Sequence, residues 1–203
     1  MLRTEGGHES QIYGDSVSQT GSSSGVKNPP TLFVMVGLPA AGKTTRAKQI
    51  EEERRALRLT PDEWMIPLFG ESEADGKRDV LEGRLIWLAL QVLENDIDVV
   101  LDFGLWSRDE RSALRSLAAS TGASCDVVYL EIDETEQRRR RDHRLTVKPG
   151  STFLISDAEL DAYRRMFETP DEAELKSLEI DPPPIGHASW ISWASERWPT
   201  SIA

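Results

Sequence analysis

Gly37-Leu38-Pro39-Ala40-Ala41-Gly42-Lys43-Thr44 follows the short apolar run from Thr31 to Val36 and precedes a stretch of helix-compatible residues. The octet fits the pattern G-x-x-x-x-G-K-[ST], and its strand–loop–helix setting gives that pattern a mechanism. A loop of this kind turns successive backbone N–H groups inward around a phosphate, at the positive end of the helix that follows. Lys43 is expected to reach the β- and γ-phosphates, and the Thr44 hydroxyl to bind Mg²⁺. Gly37, Ala40, Ala41, Gly42 and Thr45 complete the expected nucleotide cradle. An accidental glycine turn would lack the Lys-Thr pair in register.

Outward from the loop, the chain alternates apolar strands with helices. Strands are expected at Leu32–Val36, Leu57–Leu59, Val99–Phe103 and Val127–Ile132, with a last short one at Leu178–Ile180. Helices are expected from Gly42 to about Ala56 and from Lys77 to Glu94. The second places Leu81, Leu85, Leu88 and Val92 on one face. Ser107-Arg108-Asp109-Glu110 and Ser156-Asp157-Ala158-Glu159 read as capping boxes that open two more. Trp190, Trp193 and Trp198 read as core contacts of a terminal helix. Such alternation specifies an α/β three-layer sandwich with a predominantly parallel sheet, and ligands then sit at the carboxyl ends of its strands.

Composition bounds the reading. The chain has 203 residues, which suits one domain with a sizeable core. Thirty-five acidic against twenty-four basic residues give a net charge of −11, which argues against tight binding to long nucleic acid. The lone Cys125 excludes an intramolecular disulfide and suits a reducing, cytoplasmic setting. No apolar run reaches membrane-spanning length and no signal-peptide core stands at the N-terminus. The first thirty residues hold five Gly and six Ser and are expected to be a flexible tail before a domain over 31–203. Nothing in the sequence specifies an oligomeric state.

Two carboxylates fall at strand ends. Asp102, after Val99-Val100-Leu101, stands where an acid beside the phosphate loop binds Mg²⁺ directly or through water; the alternative is a buried acid bonded to backbone or to Thr44. Asp62 follows strand two in Thr60-Pro61-Asp62-Glu63. Locally, Thr60 can cap a helix with Glu63 as its partner, leaving Asp62 to complement the helix dipole. Phosphoryl transfer to a hydroxyl nevertheless needs a carboxylate near the acceptor, and Asp62 is the candidate base. Trp64, Met65, Arg78 and Arg84 are candidate walls of an acceptor pocket. Arg138-Arg139-Arg140-Arg141-Asp142-His143-Arg144 reads as a lid over about 134–155, with Arg140 and Arg144 on one face. Over a transferring phosphoryl group such guanidinium groups stabilise charge. No His/Cys/acid spacing suggests zinc.

Together these features resemble the small P-loop kinases related to zeta toxins, chloramphenicol phosphotransferase and the polynucleotide 5′-kinase domain, over about Leu32 to Glu174. The phosphate loop is the most specific part. Val99-Val100-Leu101-Asp102-Phe103-Gly104 with Ser107-Arg108-Asp109-Glu110-Arg111 looks like the group's third strand and following helix. The arginine-rich lid and Phe167-Glu168-Thr169-Pro170-Asp171-Glu172, similar to a segment flanking the nucleotide, complete it. The resemblance implies ATP and Mg²⁺ as cofactors, with Lys43 and Thr44 on phosphate and metal. It also implies Asp62 as the acceptor carboxylate, Arg140 or Arg144 as the lid arginine, and Arg111 as a substrate contact or scaffold. The sequence departs from the group at Thr60-Pro61, where a Ser/Asp-rich pattern is usual. The expected function is an ATP-dependent phosphotransferase acting on a hydroxyl of a small molecule such as a nucleoside, sugar nucleotide or antibiotic. A polynucleotide 5′-hydroxyl kinase would need a basic, aromatic-lined channel. A nucleotide-hydrolysing switch remains the reading from a different class, although no Asn-Lys-x-Asp motif is present.

Overall fold

A computed structural model describes residues 28–71, 74–147 and 155–202. The expected tail over 1–30 lies outside the described residues except for its last three positions, as does the part of the expected lid from 148 to 154. The elements are β1 (Thr31–Val36), α1 (Lys43–Arg54), β2 (Leu57–Leu59), α2 (Asp62–Phe69), α3 (Lys77–Leu93) and β3 (Val99–Leu101). After these come α4 (Arg108–Ser120), β4 (Ser124–Tyr129), α5 (Glu134–Val147), α6 (Asp157–Met166), the single-turn α7 (Glu172–Leu175) and α8 (Trp190–Arg197).

The four strands form a parallel sheet in the order β2-β3-β1-β4. Every residue of β1 is buried, because both faces of a parallel sheet are covered by helices. Its period-two alternation divides the core. Leu32, Val34 and Val36 join the cluster with Leu85, Ile86, Ala89, Leu114, Leu117 and Trp198, whereas Phe33 and Met35 pack with Ala47 and Ile50 of α1. The result is a three-layer α/β sandwich. At roughly 25 cal/mol per Å² of apolar surface, each such aliphatic side chain contributes about 1.5–3 kcal/mol. Trp190, Trp193 and Trp198 pack edge to face at 5.7–5.8 Å between successive rings, within that first cluster.

Three strand expectations need correction: the third strand ends at Leu101 rather than Phe103, the fourth is shifted and ends at Tyr129 rather than Ile132, and the fifth does not form. The fourth strand runs from Ser124 rather than Val127, because all six residues of β1 find partners in it, from Thr31↔Ser124 to Val36↔Tyr129. Cys125 therefore lies within the strand, where burial pushes its thiol up to about 12. No strand forms at Leu178–Ile180. The Leu178 N–H donates to the Ala173 carbonyl at 2.9 Å, closing the turn after α7, and its own carbonyl accepts from Arg115. Those backbone groups are thus unavailable to a sheet ladder. Both expected capping boxes do form, at Ser107/Glu110 and Ser156/Glu159. The one weighed for Thr60 and Glu63 does not. Thr60 is buried, α2 starts without a side-chain cap, and Glu63 turns to Arg58 instead.

Candidate active site

The phosphate loop leaves the carboxyl end of β1, which lies between β3 and β4. The chain runs out to β2 on one side of β1 and to β4 on the other, so the crevice at this edge is the switch point where such sheets bind ligands. Gly37 passes so close to β4 that a Cβ there would stand 2.6 Å from the Leu130 carbonyl oxygen. Ala40 adopts a left-handed backbone with φ 66°, as does Gly42 with φ 104°. Gly42 caps α1 with no side-chain hydrogen bond, and no acid stands in the first turn. The N–H groups that open α1 therefore remain available to an anion, at the positive end of the helix dipole.

Lys43 folds back over this loop. Its ammonium donates to the Gly37 carbonyl at 2.8 Å and to that of Leu38 at 3.1 Å. Burial lowers its pKa to about 8, against the attraction of Asp102 and Asp62 and with a further push downward from Arg144. These three charges bring the elements of the site around one ammonium: Asp102 after β3, Asp62 at the start of α2, and Arg144 on α5.

Asp102 is buried, and burial raises its pKa, opposed first by a hydrogen bond from Thr44 and then by Arg58 and Lys43. Thr44 and Asp102 are the oxygen donors suited to a hard cation such as Mg²⁺, which takes few protein ligands and completes its shell with phosphate and water. No group of three or more His, Cys, Asp or Glu among the described residues forms a closed metal cage. Arg58 is a residue that the sequence reading passed over. Its guanidinium reaches Asp102 at 3.4 Å, Glu51 at 3.1 Å and Glu63. A charged residue at the centre of the three-residue strand Leu57-Arg58-Leu59 was the available signal.

Asp62 contrasts with Asp102. Its side chain is 62 % exposed and accepts from Arg78 Nη2 at 3.0 Å. Arg78 also donates to Glu82 at 3.1 Å. Of the other expected pocket residues, Met65 is wholly buried in the core and Trp64 is exposed. Arg84 stacks 4.2 Å over the Trp87 ring and reaches toward the Thr200 carbonyl, which directs it to the C-terminal segment rather than to Asp62. Arg111 is fully buried. It forms a paired contact with Glu174 at 2.7 and 3.1 Å and donates to the Trp106 carbonyl.

The arginine run divides by what its members contact. Arg138 pairs with Glu134, Asp157 and Asp161, and Arg141 with Asp142 and Asp157, so both bind α5 to α6. Arg139 pairs with Glu136. Arg140 points to the loop, with Nη1 3.3 Å from the carbonyl oxygens of Ala40 and Ala41 and Nε held by Glu136 at 2.7 Å. Arg139 and Arg140 hold the Glu136 carboxyl down at about 2. Gln137, another residue without an expected role, is fully buried and donates to the Pro39 carbonyl at 3.0 Å. Arg144 is exposed.

The family profile described as "AAA domain", AAA_33, matches residues 32–170. No curated protein matches the chain by sequence. Among solved structures, a protein of Chloroflexus aurantiacus J-10-fl provisionally named a kinase is similar at 19 % identity and TM-score 0.55, over 79 % of this chain and 85 % of that one. Kti12 of Chaetomium thermophilum, in complex with ADP-AlF3, is similar at 18 % identity and TM-score 0.54, over 72 % and 94 %. The Mycobacterium tuberculosis APS kinase CysC, in complex with AMPPNP and APS, is similar at 17 % identity and TM-score 0.53, over 84 % and 96 %. At these identities the likeness is one of fold, and that fold is the one used by small P-loop kinases. With more than half of its length matched and the phosphate loop built as described, the chain belongs to the AAA_33 family of P-loop domains.

Proposed function

We propose that the protein is an ATP-dependent kinase that transfers the γ-phosphoryl group to a hydroxyl of a small molecule. The observation that carries this reading is the pair of unlike carboxylates acting on Lys43. Asp102 is buried and bonded to Thr44, whereas Asp62 is open to solvent. A carboxylate open to solvent can accept the proton of an incoming hydroxyl, which transfer to an acceptor requires. The ADP-AlF3 and AMPPNP complexes of proteins with this fold support an adenine nucleotide as donor.

Residue by residue, the backbone N–H groups of the loop and Lys43 bind and orient the β- and γ-phosphates. Thr44 and Asp102 would hold Mg²⁺, whose contribution is to neutralise charge across those phosphates. Asp62 accepts the proton of the acceptor hydroxyl as its oxygen bonds to the γ-phosphorus and the bond to the β-phosphate oxygen breaks. Arg140 and Arg144 offset the charge on the transferring oxygens. The net charge of −11 favours small acceptors over long nucleic acid.

The test is γ-phosphate transfer from labelled ATP to a panel of nucleosides, sugar nucleotides, antibiotic alcohols and oligonucleotides, with Lys43→Ala as control. A labelled small acceptor that disappears with the variant is the expected result. Labelling of oligonucleotides alone would move the acceptor to the polynucleotide class. Hydrolysis without any labelled acceptor, stimulated by a protein partner, would overturn the kinase reading in favour of a switch.

A further inference from the structure

Asp62 stands at the head of α2, and that helix is weakly anchored. Met65 is its single buried residue, while Trp64, Ile66, Leu68 and Phe69 are exposed. No side-chain cap fastens its start. Something outside α2 must therefore hold the carboxylate if it is to meet an acceptor in one geometry. The contact that does so leads to the end of the chain. Arg78 Nη2 donates to Asp62 at 3.0 Å, and Arg78 Nε to Glu82 Oε1 at 3.1 Å. The second oxygen of Glu82 accepts from the Trp198 indole N–H at 3.2 Å. Exposure falls along this chain from Asp62 through Arg78 and Glu82 to Trp198, which is fully buried.

The C-terminal segment is fastened to α3 by more than this bond. Arg197 pairs with Asp79 at 2.7 Å and with Glu110 at 2.8 Å. The Thr200 hydroxyl donates to the Val80 carbonyl at 3.0 Å. The segment lies so near α3 that a Cβ on Gly83 would stand 2.1 Å from the Pro199 carbonyl oxygen. The C-terminal partners in these contacts, Arg197 to Thr200, lie beyond residue 170, where the family match ends. A buried carboxylate between an indole and an arginine is a costly way to pack a helix, since an apolar side chain of like volume would serve stability as well. Its distinctive effect is to fix the direction of the Arg78 guanidinium.

We propose that residues 197–201, acting through Glu82 and Arg78, form the positioning element for Asp62, so that the acceptor half of the site is set by the C-terminal end of the chain. The proposal rests on the reading of Asp62 as the acceptor carboxylate. Glu82 and Arg78 are positioning residues: they act on the acceptor through Asp62 and touch no phosphate.

The experiment uses the full chain and three test variants, with Arg78→Lys as an assignment control. Trp198→Phe removes the indole donor and keeps a ring in the core, Glu82→Gln removes the charge at constant size, and Gly83→Ala displaces Pro199 without touching the relay side chains. The readouts are the Arg78 Nε–H resonance, assigned by its loss in Arg78→Lys, and hydrogen exchange over residues 62–69. In Trp198→Phe and Gly83→Ala the Arg78 Nε–H is expected to exchange about tenfold faster, with α2 losing protection to a similar degree. With an acceptor identified, its KM is expected to rise about three- to tenfold while the KM for ATP stays within about twofold. An Arg78 resonance and an α2 exchange pattern that stay unchanged in all three variants, even with a lowered Tm, would overturn the proposal and leave the segment as packing alone. Should no hydroxyl acceptor be phosphorylated by any form, the kinase reading fails, yet the resonance still decides whether the C-terminus positions Asp62.

Discussion

The Lys43 ammonium rests 2.8 Å from the Gly37 carbonyl oxygen and so bridges its own loop. Burial has already lowered its pKa from 10.5 to about 8. A bound polyphosphate favours the charged form, so nucleotide binding above about pH 8 must take up a proton. Affinity is expected to fall as pH rises through 8, by up to about tenfold per pH unit, until the higher pKa of the complex is reached. Calorimetry in buffers of different ionisation enthalpy checks this, and Lys43→Met should abolish the proton uptake. The effect on folding has the opposite sign. Between about 8 and 10.5 the unfolded chain holds more protons at this lysine than the folded one, so the contribution of Lys43 to stability improves with rising pH.

Asp62→Asn separates the two carboxylates. An asparagine retains the hydrogen bond from Arg78 and loses the ability to accept a proton. Acceptor-dependent transfer is expected to fall by about 10²- to 10⁴-fold, with ATP affinity nearly unchanged because Lys43 and the loop are intact. Asp102→Asn should instead weaken the Mg²⁺ dependence, since its partner is Thr44. Kinetics at varied Mg²⁺ and acceptor concentration distinguish the two; equal losses in both variants would remove the division of labour.

How much of this was legible from the residues differs between the two halves of the site. The loop, Thr44 and Asp102 are local features: a motif at the end of one apolar strand and an acid at the end of another, both legible in the sequence. The parallel sheet follows from the same alternation, whereas its order β2-β3-β1-β4 does not. Arg78 was expected beside Asp62 at the acceptor pocket, but the link beyond it was not legible, because Glu82 meets residue 198, more than a hundred positions away. The clue was a glutamate at 82, inside the apolar face formed by Leu81, Leu85, Ile86 and Ala89. The arginine run misleads for a related reason. Charge density is visible in sequence, whereas Asp157 and Asp161, which pair with Arg138 and Arg141, belong to the separate helix α6.

That division makes a prediction for the run. Arg140→Ala removes the guanidinium aimed at the loop and should lower kcat by about 10²-fold at saturating ATP. Arg138→Ala and Arg141→Ala should leave kcat within about threefold, while amide exchange quickens over residues 134–147 and 157–166 as the two helices part. Because Arg139 and Arg140 hold Glu136 at about 2, the Arg140 clamp persists across the whole neutral and mildly acidic range. A matching loss of kcat in Arg138→Ala would show that the lid acts as one body and that aim at the loop is not what matters.

Arg111 and Glu174 supply the test of scaffold against substrate contact. Both are buried, at 0 and 2 % exposure, with two parallel hydrogen bonds between them. Arg111→Met alone leaves the Glu174 carboxylate buried without its cation and should cost about 3–5 kcal/mol of folding free energy. Glu174 also serves as the capping partner of Asp171, so α7 should fray in the same variant. Removing both charges in Arg111→Met/Glu174→Leu replaces the pair by apolar volume and is expected to recover most of the loss. Urea unfolding measures the recovery, and the acceptor KM of the double variant decides the role. A KM near that of the unmodified protein agrees with a scaffold, because Arg111 has no exposed surface with which to touch an acceptor. A KM raised by tenfold or more in a protein of restored stability would return Arg111 to the substrate.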